Sequence, residues 1–421
     1  MTSRGSAPRV GLYGVIGSDN LGNEGSLEAV LAWLERDHPD AVLDFMCIGP
    51  EKAKARYGAP AIPLNWLHRH QDASGVRASV YRVLGKGIDA YRVASWVRKH
   101  DAVIVPGAGV LEVTLPIGPW FYPYAMLLLS VSGRIFGTKV AFVSVGASVA
   151  GHPLTRRFVT AAAKLAFYRS YRDLGSYEAM RRAGVDVTND HVYPDLAFAL
   201  PVPSSGPGDP MTVGVGIMGY YGNNEDRAQA AEVNAAYLDK TKRFVRWLAD
   251  QGYRIRVFPG DNSWDDAVLA EVLADLRDHR PGLEPMAAAG QAVTSLDELM
   301  RDMAPVGTVV AIRYHNVMCA LKLGKPTVSL SYARKHDLLM ADMGLSEFCL
   351  PARDFTLDQL IERFTELRGR AAELTQTMAE RNAEKARLLD QQFAGLSRLL
   401  FPGRKQARGP VGPESARQVT R

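Results

Sequence analysis

The sequence contains little cysteine and no long uninterrupted run of apolar residues. Its 421 residues include three widely spaced cysteines, without a CxxC pair or a Cys/His cluster typical of a zinc site. We therefore predict no metal site and a reduced chain of the cytoplasmic type. The N-terminus lacks an apolar segment followed by a cleavage site, so we predict no signal peptide.

One uncharged stretch, Val113 to Gly133, is long enough to span a bilayer. Three prolines and a glycine interrupt its first half, and the continuous part, Tyr124 to Ser132, is too short to cross. These breakers favour a buried helix over a spanning one. Contact with a membrane surface, at the inner face of the membrane, is the alternative that we retain.

The net charge of +5 is unevenly distributed. Residues 403–421 hold five basic residues and one acidic residue, so this tail carries +4 and the body is nearly neutral. The basic residues also lack the interleaved aromatics of a groove that binds single strands. We predict no nucleic-acid partner and a disordered basic tail at 403–421, and we leave homo-oligomerisation open.

Apolar runs alternate with helix-spaced patterns, which predicts parallel sheets with helices on both faces. Ser26 to Asp37 is predicted as a helix, and Ser74 to Lys99 as a helix broken around Gly85 and Gly87. PVPSSGPGDP at 201–210 is predicted as a linker. We predict an α/β fold of two doubly wound Rossmann-like domains, 8–200 and 211–375, followed by a C-terminal helix at 376–402. Ligands bind beyond the carboxyl ends of strands in such sheets, so we place the site in the cleft between the domains.

Three groups of candidate site residues follow predicted strands of the first domain. The turn from Gly17 to Gly25 could present helix N–H groups to an anion, or be an ordinary turn capped by Ser26 or Asn23. It is neither a dinucleotide fingerprint nor a P-loop. Glycines after the third strand would let a ligand approach the backbone, and an arginine after the last strand could bind a carboxylate or phosphate. The candidates are Asn20, Gly22, Asn23 and Glu24, then Gly107, Gly109 and Glu112, then Arg172, Asp173, Ser176 and Asp195.

Arg313-Tyr314-His315 is the strongest candidate. Thr308 to Ile312 reads as a buried strand, so this triplet emerges at its carboxyl end, and we predict that Asn316 starts the next helix. The window from Met303 to His336 contains no Asp or Glu, and Lys335 lies near its end. Such a window suits an anionic ligand, and a basic surface loop is the alternative.

These motifs together resemble the polysaccharide pyruvyl transferase family. The matching residues are Asn20 to Glu24, Gly107-Ala108-Gly109, Arg172-Asp173 with Ser176, Pro194-Asp195, Arg313-Tyr314-His315, and Gly324-Lys325-Pro326 through Lys335. They occur in the family's order. Asn23 stands where the family commonly has Asp, and Ala108 interrupts a run that is more usually three glycines.

The resemblance implies a fold like that of the GT-B glycosyltransferases, and transfer of a pyruvyl group from phosphoenolpyruvate to two sugar hydroxyls. The product would be a cyclic ketal and phosphate, with phosphoenolpyruvate as co-substrate and no other cofactor. The acceptor would be a cell-envelope polysaccharide, a lipid-linked saccharide or a small glycoside.

We assign a role to each candidate on this basis. The predicted catalytic residues are His315, Arg313 and Asp173, and the predicted donor-binding residues are Arg172, Lys335, Tyr314 and Ser176. The remaining candidates, Asn20, Gly22, Asn23, Glu24, Gly107, Gly109, Glu112 and Asp195, are placed on the acceptor side or in loops.

Two other functions stay open at this point. A nucleotide-sugar glycosyltransferase would share the architecture, but such enzymes usually need a carboxylate near the donor site, and the window from Met303 to His336 has none. A non-catalytic saccharide- or phosphate-binding protein would bind a ligand without turnover.

Overall fold

The computed structural model describes residues 7–18, 20–66, 75–112, 118–148, 151–203, 206–222, 224–258, 265–282, 286–287 and 293–403. The chain divides into two compact units, one of residues 1–200 with 385–421 and one of residues 201–384. Each unit contains one parallel sheet with helices, which confirms the predicted α/β class. The predicted disordered tail lies, apart from Gly403, outside the described residues.

The first unit is built on a seven-stranded sheet. Its strands are β1 (Arg9–Gly14), β2 (Val42–Cys47), β3 (Ala61–Pro63), β4 (Ala102–Pro106), β5 (Lys139–Val145), β6 (Tyr168–Tyr171) and β7 (His191–Val192). Their order is β3-β2-β1-β4-β5-β6-β7, with Leu12 of β1 paired to Phe45 on one side and Ile104 on the other. β2 and β3 are added on one side of β1, and the strands from β4 onwards are added on the other side. The boundary between β1 and β4 is therefore the switch point, where ligands bind in doubly wound sheets.

Six helices among the described residues connect these strands. They are α1 (Leu21–Asp37), α2 (Pro50–Tyr57), α3 (Gly75–Val97), α4 (Tyr122–Phe136), α5 (Pro153–Leu165) and α6 (Leu174–Arg182). The predicted break around Gly85 and Gly87 is wrong, because α3 continues through both. A glycine costs about 1 kcal/mol in a helix interior, and α3 offsets this by burying Val93, Trp96 and Val97 in the core of the unit.

The second unit is built on a six-stranded sheet. Its strands are β8 (Asp209–Gly216), β9 (Arg254–Phe258), β10 (Met286–Ala287), β11 (Val306–Ala311), β12 (Thr327–Ser331) and β13 (Cys349–Pro351). The order is β10-β9-β8-β11-β12-β13. Its helices are α7 (Ala230–Asp250), α8 (Asp266–His279), α9 (Leu296–Met303), α10 (Tyr314–Lys322), α11 (Arg334–Asp342) and α12 (Leu357–Gly369). The last two residues of the predicted linker belong to β8.

The last helix, α13 (Ala371–Leu400), contributes to both units. Its second half packs in the first unit, where Gln392 donates to the hydroxyls of Ser144 and Ser170. The indole of Trp33 donates to Ser397 over 3.2 Å and stacks on Phe393. The chain therefore returns to complete the core of its first unit. No helix of the described residues is long and apolar enough to cross a membrane.

A buried lysine in α10 makes a pH-dependent prediction. Lys322 is 8% exposed, and burial lowers its pKa from 10.5 to about 8. Because the folded pKa lies below the unfolded one, the charge opposes folding below about pH 8, and this cost disappears as the pH rises towards 10.5. We expect Lys322→Met to stabilise the fold by roughly 1–3 kcal/mol near neutral pH, and by little above pH 10.

Thermal unfolding followed by circular dichroism checks this prediction. Lys99 is exposed, so Lys99→Met serves as the matched control and should change little at either pH. If Lys322→Met raised the stability of the fold equally at neutral and at alkaline pH, the electrostatic explanation would be contradicted.

Candidate functional site

Asn20 directly precedes α1, in the segment that was predicted as a turn. Its side chain accepts a hydrogen bond from the backbone N of Asn23 over 3.2 Å and caps the helix. The predicted caps, Ser26 and Asn23, are therefore wrong, and Gly22, Asn23 and Glu24 lie in the first turn of the helix. Asn is a strong capping residue because its side-chain oxygen satisfies an otherwise unpaired N–H group.

Glu24 is 3% exposed and is engaged by the protein itself. Its Oε1 accepts from the backbone N of Gly17 and of Ser18, over 2.7 and 3.3 Å. Its Oε2 accepts from the hydroxyl of Tyr57 over 2.8 Å. These contacts hold the turn after β1 against α1 and α2.

The glycines after β4 permit two close approaches. A Cβ on Gly107, whose φ is +49°, would lie 2.4 Å from the hydroxyl of Ser26. A Cβ on Gly109 would lie 2.7 Å from the carboxylate of Glu112. Both positions require glycine for packing, and Gly109 leaves room for a carboxylate at the carboxyl edge of the sheet.

Arg172, directly after β6, lies among three carboxylates. Its guanidinium is 2.5 Å from Glu112 and 3.8 Å from both Asp173 and Asp195. The four side chains are between 14% and 29% exposed. We call these four residues the Arg172 cluster. The carboxylates outnumber the cation, so the cluster suits hydroxyl donors better than an anion.

Backbone groups fix the positions of the acidic residues in this cluster. Asp173 caps α6 by accepting from the backbone N of Ser176 over 2.7 Å. The Ser176 hydroxyl in turn accepts from the backbone N of Ala147 over 3.0 Å. Asp195 accepts from the backbone N of Ala197. In both aspartates Oδ1 accepts the hydrogen bond from the backbone N–H group, while Oδ2 is the oxygen nearest Arg172.

Lys385 is a charged neighbour of this cluster that sequence reasoning missed. It is 5% exposed, and its Nζ lies 5.2 Å from the ring centre of Phe198. Burial lowers its pKa to about 8, and the nearby carboxylate of Asp195 partly offsets this. The signal was present in the sequence, because Lys385 is spaced as a member of the buried face of α13 that includes Leu389 and Leu396.

In the second unit, Arg313 is held by a buried carboxylate. Its Nε and Nη2 donate to the two oxygens of Asp265, each over 2.9 Å. The Asp265 side chain is 1% exposed and also accepts from the backbone N of Gly219. Asp265 follows β9 and Arg313 follows β11, so the carboxyl edge of the sheet brings them together. The acid-free window therefore does not leave Arg313 without an acidic partner.

The residues after Arg313 are helical, which corrects the prediction that Asn316 starts the helix. α10 begins at Tyr314, with Arg313 as its cap residue. The buried Tyr314 ring has His315 at 5.7 Å between ring centres and the Nζ of Lys335 at 5.0 Å from its own centre. We call Arg313, Tyr314, His315 and Lys335 the Tyr314 cluster.

His336 lies beside this cluster as a neutral group. It is fully buried, and its Nε2 lies 3.0 Å from the carbonyl oxygen of Ile312. Burial lowers its pKa to about 4, with the charge of Lys335 acting in the same direction. His336 therefore adds no positive charge near pH 7 to that of Arg313 and Lys335.

Two helix N-termini lie at the Tyr314 cluster. α10 and α11 follow the neighbouring parallel strands β11 and β12, and among the described residues neither helix has a side chain capping its first turn. In the first unit, α1 and α6 are capped by Asn20 and Asp173. Unsatisfied N–H groups and the helix dipole favour an anion at the second unit's edge.

Asn316 is a further polar residue that sequence reasoning missed. It is fully buried in the first turn of α10, and neither polar atom of its side chain has a hydrogen-bond partner among the described residues. Its Nδ2 would lie 2.6 Å from a Cβ on Gly216. No sequence signal distinguishes it from a surface asparagine at a helix start.

The predicted residues thus fall into separate groups. Glu112, Arg172, Asp173 and Asp195 meet in the first unit, where Ser176 supports them, while Asn20 and Glu24 hold the turn before α1. Arg313, Tyr314, His315 and Lys335 meet in the second unit. No group of three or more His, Cys, Asp or Glu residues suited to a metal ion occurs in the described part of the chain.

Known structures resemble most of the chain in fold. A UDP-GlcNAc 2-epimerase from Methanocaldococcus jannaschii matches with a TM-score of 0.56 at 10% identity, over 85% of this chain and 92% of that one. A lipopolysaccharide outer core galactosyltransferase matches with a TM-score of 0.54 at 12% identity, over 93% and 99%. At these identities the likeness shows the fold alone, which is GT-B-like with two Rossmann-like domains.

Sequence comparison identifies the family. A search of curated proteins finds no match. A family model described as polysaccharide pyruvyl transferase matches residues 20–334. This interval covers most of the chain and runs from the cap of α1 to the first residue of α11, so it includes the Arg172 cluster and, except for Lys335, the Tyr314 cluster. The chain therefore belongs to the polysaccharide pyruvyl transferase family.

Proposed function

We propose that this protein transfers the pyruvyl group of phosphoenolpyruvate to two hydroxyl groups of a saccharide acceptor, forming a cyclic ketal and releasing phosphate. Family membership supports a transferase of polysaccharide synthesis. The observation that carries the finer proposal is the Tyr314 cluster, where an oriented arginine, a lysine and a histidine lie at two helix N-termini.

The donor is a small dianionic or trianionic enol, so it needs fixed cations. Arg313 is oriented by Asp265, and Lys335 is held against the rings of Tyr314 and Tyr332. A hydrogen bond to a charged group contributes about 1.5–3 kcal/mol. We assign Arg313 and Lys335 to the carboxylate and phosphate of the donor, with the N–H groups of α10 as further donors.

The reaction requires an acid and a base. A proton delivered to the methylene carbon of the donor forms a methyl group and leaves C2 electrophilic. The oxygen of one sugar hydroxyl then bonds to C2 and loses its proton to a base. The C2–O bond to phosphate breaks, and the oxygen of a second hydroxyl bonds to C2, gives its proton to the departing phosphate and closes the ketal. We assign His315 to proton transfer, because histidine as a residue type titrates near neutrality.

The Arg172 cluster fits an acceptor. Sugar hydroxyls are hydrogen-bond donors, and the carboxylates of Glu112, Asp173 and Asp195 are acceptors whose positions are fixed by Arg172 and by backbone groups. We therefore assign Arg172 to orienting these carboxylates, in place of the donor contact expected from the sequence.

A thermal-shift comparison tests this proposal against the two alternatives. We expect phosphoenolpyruvate to raise the unfolding midpoint and UDP- and GDP-sugars to leave it unchanged, with the Arg313→Ala variant losing the shift. A shift from a nucleotide sugar alone would instead support a glycosyltransferase. A shift from phosphoenolpyruvate without phosphate release, with every saccharide supplied, would indicate a binding protein.

A further inference from the structure

Large aromatic side chains are exposed where α4 begins. Trp120 is 49% exposed and Phe121 is 40% exposed. The ring of Trp120 lies edge-on to that of Phe158 in α5, with 5.4 Å between the ring centres. The backbone carbonyl oxygen of Trp120 accepts a hydrogen bond from Lys86 of α3 over 2.6 Å. These contacts hold Trp120 against α3 and α5 and leave about half of its surface in solvent.

Exposed cations lie on α5, the helix whose Phe158 contacts Trp120. Arg156, Arg157 and Lys164 line one shallow cavity of about 470 Å³, and all three are exposed. None of them forms an ion pair with a residue that the structure describes. We call Trp120, Phe121, Arg156, Arg157 and Lys164 the Trp120 surface.

The segment of the chain that contains this surface carries charge of one sign. Residues 113–172 contain seven Lys or Arg residues and no Asp or Glu. The body of the protein is nearly neutral, so this distribution is local. A surface that combines exposed aromatics with unopposed cations matches an apolar layer covered by anionic groups.

The fold places this surface at a particular edge of the first sheet. α4 and α5 follow the parallel strands β4 and β5, so both helices begin on the side where these strands end. Arg172 follows β6, which is parallel to β5. The part of the Trp120 surface at the starts of α4 and α5, which excludes Lys164 in the last turn of α5, therefore lies towards the same edge of the sheet as the Arg172 cluster.

We propose that the Trp120 surface docks the first unit on an anionic lipid bilayer. Tryptophan favours the interface between headgroups and acyl chains, since its ring is apolar and its N–H group is polar. The cations of α5 contact the anionic headgroups next to it. Docking at this edge holds the Arg172 cluster near the bilayer, where a lipid-linked acceptor would be presented.

A second copy of the chain fits this surface less well. In a two-fold dimer the same patch meets itself, so Arg156, Arg157 and Lys164 would face identical cations with no carboxylate from residues 113–172 to offset them. Charge complementarity therefore favours an anionic lipid surface as the occupant.

Vesicle sedimentation with the full-length chain tests the proposal without requiring turnover. We expect binding to vesicles of phosphatidylcholine with about 30% phosphatidylglycerol, weak binding to phosphatidylcholine alone, and loss of binding at high salt. The double variants Trp120→Ser/Phe121→Ser and Arg156→Ser/Arg157→Ser should each lower the partition coefficient at least about tenfold. The arginine variant removes exposed side chains, so it keeps the test valid if the aromatic variant folds poorly.

Matched variants in the second unit provide the controls. Met211→Ser/Tyr221→Ser removes exposed apolar side chains, and Arg243→Ser/Arg301→Ser removes exposed cations. Both should bind vesicles like the wild type. Equal affinity for neutral vesicles, or unchanged binding of both Trp120-surface variants, would overturn the proposal. A wild-type dimer in sedimentation equilibrium that Trp120→Ser/Phe121→Ser dissociates would assign the surface to a second copy and would also overturn it.

Discussion

Replacing His315 with Ala is expected to lower the rate of phosphate release from phosphoenolpyruvate by about 10²–10⁴-fold, the usual contribution of a positioned acid or base. His315 is half-buried in the first turn of α10, beside the ring of Tyr314. The substitution lies on the surface of a nine-residue helix whose buried residues stay unchanged. The fold should therefore survive, and the loss should appear in turnover.

His279→Ala is the matched control for this prediction. His279 lies in α8 of the same unit, is partly exposed and contacts Asp250, so its removal deletes the same chemical group away from the Tyr314 cluster. We expect its rate to equal that of the wild type. Phosphate release by a folded His315→Ala variant at a rate near the wild type would remove His315 from the mechanism.

Replacing Asp265 with Asn is expected to raise the KM for phosphoenolpyruvate and to lower kcat/KM by about 10–100-fold, as loss of a charge-assisted hydrogen bond implies. The buried carboxylate accepts two hydrogen bonds from Arg313 and one from Gly219. An amide has one acceptor oxygen, so the guanidinium loses a partner and its fixed direction. The effect should be larger on KM than on kcat, because Asp265 positions a donor-binding group.

A second bidentate pair in the same unit provides the control. Arg246 of α7 donates from Nε and Nη2 to the two oxygens of Asp275 in α8. Asp275→Asn makes the same chemical change in a similar pair, and the KM for phosphoenolpyruvate should not change. If both variants raise this KM equally, the effect comes from stability and the assigned role of Asp265 fails.

The fold was predictable because its strands are buried on both faces. Segments such as DAVIVPGAGV and KVAFVSVGAS are nearly continuous apolar runs, which is the pattern of a parallel sheet covered by helices. The short edge strands β3, β7, β10 and β13 have two or three residues each. Such segments bury too little to produce a hydrophobic pattern, so the sequence does not predict them as strands.

Part of the candidate site was predictable from position along the chain. Arg313 and His315 stand immediately after a buried strand, where a charge has little structural purpose unless it serves a ligand. The helix start was misplaced by two residues, because no side chain caps α10 and the usual signal was therefore missing.

The partners of the two arginines were harder to predict. Asp265, directly before α8, reaches Arg313 from 48 residues earlier in the chain, and Glu112 reaches Arg172 from 60 residues earlier. These pairings depend on the order of strands in each sheet. In the second unit β9 and β11 flank β8, and in the first unit β5 lies between β4 and β6. Without that order, the sequence left Arg313 without an acidic partner and did not pair Arg172 with Glu112.

The fate of C2 of phosphoenolpyruvate tests the central claim most directly. The measurement is a ¹³C spectrum of donor labelled at C2, incubated with the protein and with aryl glycosides and cell-envelope polysaccharide as acceptors, alongside an assay for phosphate. We predict that the enol signal is replaced by that of a ketal carbon as an equal amount of phosphate appears, and that His315→Ala prevents both changes. An enol signal that persists with every acceptor, or that is replaced by the signal of free pyruvate, would contradict the proposed pyruvyl transfer.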